Sequence, residues 1–139
     1  WPDDGCDRTQ HHFTYAIYPH GGDWHTARTP HHAQALNIPL RSHRPSVSGA
    51  GVADVALASR SFLSLGPEHL ILSAFKPGET EPGSFIARYY DAYGTPTAAP
   101  TPLNNSLGLT VDSPLNLLEE PMAVGPSRSY QIHTCRLVP

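Results

Sequence analysis

The chain has 139 residues, of which 15% are charged, with a formal net charge of -3. That length allows one domain with a modest core. The nine Lys and Arg are scattered without a run, which argues against a nucleic-acid footprint or a polybasic membrane patch, and no apolar run approaches the roughly 20 residues of a membrane span. No stretch reads as a signal peptide. A chain that begins with Trp1 is expected to have been processed or to be a piece of something longer.

Residues 1–10 are polar and turn-rich and read as a loop. Residues 11–18 give the clearest strand pattern. Phe13, Tyr15 and Ile17 alternate with His12, Thr14, Ala16 and Tyr18, the period of a half-buried strand. Pro19 lacks the N–H to continue a ladder, and Gly21-Gly22 permits a turn. A short helix is expected over about 31–36, because Pro30 breaks anything longer. Asp23 is a candidate cap, with Ala27, Ala33, Ala35 and Leu36 facing inward. Asn37-Ile38-Pro39 ends it. Residues 41–54, rich in Ser, Pro, Gly and Arg, read as an exposed loop.

Strands then follow closely. Residues 61–65 and 69–75 read as a hairpin, and 84–93 as the second strong strand, with Phe85, Ala87 and Tyr89 on one face. Residues 95–102 hold three prolines and exclude a central strand. Leu107, Leu109 and Val111 alternate again. Residues 115–120 form a further segment, and 129–137 the last strand. The pattern predicts an all-β antiparallel sandwich with one short helix and long loops, as a single domain over 1–139. Its expected core is Phe13, Tyr15, Ile17, Leu70, Leu72, Phe85, Ala87, Leu109 and Ile132.

The chemistry-bearing residues are sparse in pattern. Cys6 and Cys135 leave two readings, a terminus-to-terminus disulfide or two idle thiols. The second is the expectation, because a disulfide framework carries more cysteines. There are nine histidines, but His12 and His20 are roughly 26 Å apart if extended, at about 3.3 Å per residue. No zinc-type spacing occurs, so no metal site is expected in this chain. No Gly-x-Ser-x-Gly or phosphate loop occurs. Acidic residues at Asp3, Asp4, Asp7 and at Glu119-Glu120 read as solvated loop acids. Trp1, Trp24, Tyr18, Tyr90 and Tyr93 are candidates for a sugar-stacking platform or for ordinary packing.

Six collinear blocks carry a resemblance. Phe13-Thr14-Tyr15-Ala16-Ile17-Tyr18-Pro19-His20-Gly21-Gly22-Asp23-Trp24 resembles the Phe-Thr-Tyr-Ala-Leu-x-Pro-His-x-Gly-x-Trp segment of the glycoside hydrolase family 38 α-mannosidases. In order, Leu36–Leu40, His69–Pro77, Ile86–Gly94, Leu115–Pro121 and Tyr130–Leu137 resemble further blocks of the same family. The cytosolic, vacuolar and bacterial branch is the most similar, which implies a cytoplasmic location.

The resemblance implies that this is the C-terminal β-sandwich of a longer enzyme, a retaining α-mannosidase acting on mannose-containing oligosaccharides. It implies that the zinc ligands, the nucleophile and the acid/base lie upstream, so that this chain alone is inactive and holds no zinc. Its partner is then the upstream catalytic domain, with no nucleic acid and no membrane. The family's Asp-x-Gly-x-His loop, which approaches the sugar pocket, corresponds to Asp7-Arg8-Thr9-Gln10-His11, with Thr9 in place of the glycine. Asp7 and His11 are therefore candidate substrate-cleft residues. Only Met122–Arg128 stands where the family has a further strand or hairpin. The alternative is a free-standing carbohydrate-binding β-sandwich using Trp24 and the tyrosines.

Overall fold

The structure is a computed structural model that describes residues 5–6, 8–42, 61–95 and 103–139. Its elements are α1 (Thr29–Asn37), β1 (Leu63–Ser64), β2 (Leu70–Pro77), β3 (Phe85–Asp91), β4 (Asn104–Asn105), β5 (Thr110–Leu115) and β6 (Ile132–Val138). The strands form two antiparallel sheets, a four-stranded one in the order β2-β3-β6-β5 and a two-stranded one of β1 and β4. The fold is all-β and sandwich-like, with one short helix.

Period-two alternation explains the core. Phe85, Ala87 and Tyr89 of β3 share a face with Cys135 and Leu137 of β6 and with Leu70 and Leu72 of β2. Leu63, Leu65, Leu103 and Leu109 from the small sheet and its flanks complete the same cluster. The opposite face carries Ile86 and Arg136, which are buried, and Ile132, which is exposed. Ile132 is thus a correction to the expected core, because it shares the pleat phase of Thr134 and Arg136 and points away from the apolar side.

Two bulges re-aim the strands. The pairing of β2 with β3 shifts between Leu72 and Ala74, and that of β5 with β6 shifts between Val111 and Ser113. Pro114 sits inside β5 without harm, since β5 is an edge strand. Residues 115–120, expected as a further segment, instead end β5 and turn. Asn116 Oδ1 accepts the backbone N–H groups of Leu118 and Glu120 at 2.8 and 3.0 Å. An isolated bridge from Leu115 to Pro121 closes this turn.

Four other expectations are corrected. Residues 11–18 form no strand in the described structure, and Phe13, Tyr15 and Ile17 are 82%, 83% and 88% exposed. Alternation marks a strand with a face to bury, but a ladder also needs a partner edge, and no described strand pairs with this segment. Residues 61–65 do not pair with 69–75. β1 pairs with β4, and β2 forms its hairpin with β3. The helix starts earlier than expected, because Pro30 lies in its first turn, where a missing N–H costs nothing. No residue of α1 is buried, so Ala33, Ala35 and Leu36 do not face a core. The loop over 41–54 and the segment 95–102 fall mostly outside the described residues.

Candidate functional site

Of the two residues singled out before the first expected strand, Asp7 lies outside the described residues, and His11 is exposed. The side chains that do converge come from the next stretch of chain.

Asp23 organises a tight turn. Its Oδ1 accepts the Thr26 backbone N–H at 2.8 Å and the Thr26 hydroxyl at 2.9 Å, and its carbonyl oxygen accepts the Ala27 N–H at 3.0 Å. These bonds, the Thr26 N–H foremost, hold the Asp23 carboxyl below the usual carboxylate range. Gly22 has φ +71°, and a Cβ there would sit 2.7 Å from the Thr26 hydroxyl oxygen. Asp23 therefore caps this turn and not the helix, whose N-cap is Arg28 with φ 52° and no side-chain capping bond.

The turn lays Trp24 and His25 against Tyr93, at the far end of β3. The His25 ring stacks on Tyr93 with centroids 5.0 Å apart, and Trp24 meets both rings edge-on at 3.8 and 5.7 Å. His31, from α1, shares a 3.1 Å hydrogen bond between its Nδ1 and the Tyr93 hydroxyl. Burial, then the Glu68 carboxylate, push the Tyr93 phenol up. Tyr18 leans on His32 and His20 at 4.6 and 5.4 Å and donates its hydroxyl to the Ala27 carbonyl at 3.3 Å. Trp24 and Tyr18 remain 41% and 43% exposed.

Beside this cluster runs an open groove of about 460 Å³ between α1 and the β1–β2 connection. Arg28, His31, Gln34 and Glu68 line it, and Arg28 and Glu68 form an ion pair. Aromatic faces beside a carboxylate, a guanidinium and an amide suit a polyhydroxylated ligand. Pairwise sequence patterns did not reveal this group, because Trp24, His31 and Tyr93 meet only through the fold. The nearest local signal was Asp23-x-x-Thr26, a side-chain-bonded turn that places Trp24.

A second cavity, of about 320 Å³, lies between β5, β6 and the strap 122–127. His133 stacks on Tyr89 there, and its Nε2 lies 3.2 Å from the Ser127 hydroxyl. Burial pushes the His133 imidazole down, against the pull of Asp91. Asp91 does not complete a hydrolytic triad, because its Oδ1 accepts the N–H of Tyr93 and its Oδ2 that of Tyr130.

Among the described residues, no group of three or more His, Cys, Asp or Glu side chains is arranged to hold a metal ion. No helix of the described residues is long and apolar enough to cross a membrane.

The chain is 32% identical over 96 residues to alpha-mannosidase G of Dictyostelium discoideum, covering 69% of this chain and 8% of that protein. It is 33% identical over 96 residues to alpha-mannosidase 2C1 of Homo sapiens, covering 68% of this chain and 9% of that protein. The chain thus matches less than a tenth of the length of these relatives. No protein-family model and no solved structure matches it. The resemblance to the family 38 α-mannosidases is borne out by these two relatives.

Proposed function

We propose that this chain, a relative of the family 38 α-mannosidases, is the C-terminal supporting β domain of a retaining α-mannosidase and is inactive alone. The observation that carries the reading is the match of 96 residues to less than a tenth of each relative. A stretch that short, folded mainly as sheet, supplies a scaffold for chemistry done elsewhere. Zinc, nucleophile and acid/base then belong to the upstream catalytic domain, which is the partner, and the substrate is a mannose-containing oligosaccharide cleaved in the cytoplasm. Neither nucleic acid nor membrane is a partner, in keeping with the low and scattered positive charge.

In this reading the Asp7–His11 loop faces the sugar-binding cleft. Asp7 accepts a hydrogen bond from a sugar hydroxyl or orients an upstream arginine, and His11 braces the loop. The test is steady-state hydrolysis of an aryl α-mannoside. The 139-residue chain should give no turnover, and the full-length protein should be active. Asp7→Asn in the full-length protein should lower kcat/KM about tenfold, near 1.4 kcal/mol, with the melting temperature nearly fixed. Unchanged activity, or a loss that tracks stability, would make the loop structural.

A second reading, a free-standing carbohydrate-binding module, is favoured by the half-exposed rings of Trp24 and Tyr18 beside the polar groove. Titration of the 139-residue chain with mannose oligosaccharides separates the two. Saturable binding abolished by Trp24→Ala would support the module.

A further inference from the structure

Residues 13–18 are written as a strand and are not used as one. Phe13, Tyr15 and Ile17 alternate in sequence with Thr14 and Ala16 along a segment that belongs to no helix or strand, and all three are more than four-fifths exposed. The segment makes no ladder with any described strand. From Gln10 to Gly22 there is no Asp, Glu, Lys or Arg. Sheet edges that stay in solvent are normally guarded by charged side chains or bulges. An uncharged strand with three large apolar residues on one face is built to be covered.

We propose that residues 13–18 dock by β-strand addition onto an open sheet edge in the remaining polypeptide of the longer enzyme. That partner edge would lay an apolar row against Phe13, Tyr15 and Ile17. This inference rests on the reading of the chain as part of such an enzyme. The occupant follows from length, since the matched relatives contain more than ten times the aligned stretch. A sheet edge in the same polypeptide is present at high effective concentration, whereas a second copy must first associate. Strand addition satisfies the backbone N–H and C=O groups that the segment leaves without ladder partners, and it buries the three side chains in the same step. Pro19 then ends the strand, and the Asp23 turn directs the chain back to the body.

The experiment is amide hydrogen exchange on the peptide 13–18 in the full-length protein and in the 139-residue chain. In the full-length protein, amides facing the partner should exchange at least about a hundredfold slower than in an unstructured peptide. In the 139-residue chain they should exchange fast at every concentration. Thr14→Pro and Tyr15→Pro, each in the full-length protein, test the register. An edge strand aims one of these two N–H groups at the partner, so one variant should lose the protection of the remaining amides and the other should keep it. Fast exchange in the full-length protein overturns the proposal. So does protection that arises in the 139-residue chain together with dimerisation, which would make a second copy the occupant. Hydrolysis of an aryl α-mannoside by the same full-length preparation is read separately. Protection without hydrolysis would remove the enzymatic reading and leave the docked strand standing.

Discussion

The carboxylate of Asp91, at the end of β3, accepts the backbone N–H of Tyr130, 39 residues later, at 2.9 Å. The same side chain accepts the Tyr93 N–H at 3.0 Å. Asp91 is almost fully buried. Burial alone raises a carboxyl, but here the N–H groups of Tyr130, Tyr93 and Thr95 outweigh it and keep the group below the usual range. One residue thus fixes both the turn after β3 and the entry to β6. It also bends the chain so that the Tyr130 ring covers Gly94, where φ is +75° and a Cβ would lie 2.6 Å from the ring.

Asp91→Ala should therefore destabilise the chain by about 2–3 kcal/mol, since the N–H groups of Tyr130, Tyr93 and Thr95 lose a charged acceptor. Asp91→Asn keeps one acceptor oxygen and should cost less. Gly94→Ala should cost at least about 1 kcal/mol, from the left-handed backbone and the ring contact together. Urea melts followed by circular dichroism measure all three. A loss below about 0.5 kcal/mol for Asp91→Ala would mean that the clamp is not formed.

The core gives a second contrast. Leu137 is fully buried among Leu70, Ala87 and Cys135, and Phe13 is 82% exposed. Leu137→Ala should cost about 2–5 kcal/mol in the 139-residue chain, the usual range for emptying a core site. Phe13→Ala should stay within about 0.5 kcal/mol, as exposed substitutions do. A Phe13→Ala loss of several kcal/mol would mean that the segment packs in solution against the body of the chain.

Those two residues show how far the sequence could be read. Alternation at 84–93 identified β3 and its core face, and alternation at 129–137 identified β6 but not which face is buried, since Ile132 is exposed while Cys135 and Leu137 are buried. Period two is a property of one strand, so it marks two faces and leaves open which of them the fold covers. The same signal at 13–17 is followed by neither a strand nor burial, because pairing depends on chain outside the segment. The partner of β1 was also illegible, since a two-residue bridge to Asn104–Asn105 leaves no periodic trace. The Trp24–His25–Tyr93 cluster spans 69 residues of sequence and depends on the Asp23 turn, which no single motif announces.

His133 gives a pH prediction. Burial lowers its imidazole below the ordinary value near 6.5. The unfolded chain therefore takes up the proton first as the pH falls. The contribution of His133 to stability is complete above the unfolded value and declines as pH drops through the lower folded value. The melting temperature should fall between about pH 7 and pH 5, and His133→Phe, which keeps a ring on Tyr89, should flatten that fall. An identical slope in the variant would place the proton uptake on other groups.

The two cysteines carry the last prediction. They form no disulfide with each other, and they sit in opposite environments. Cys6 is exposed. Cys135 is buried in β6, donates its thiol to the Ala87 carbonyl at 3.7 Å, and is pushed up to about 11, chiefly by burial. At pH 8 a thiol of that kind is only about 0.1% thiolate, and the thiolate is the reactive form. A chromogenic disulfide reagent should therefore modify one thiol per chain quickly at pH 8 and the second only after unfolding. Cys6→Ser should remove the fast phase, and Cys135→Ala should leave it intact. Two fast thiols would mean that β6 is open and the apolar cluster around Leu137 is not packed. No thiol at all, even in denaturant without reductant, would mean that the ends are joined by a disulfide, which the burial of Cys135 and the exposure of Cys6 argue against.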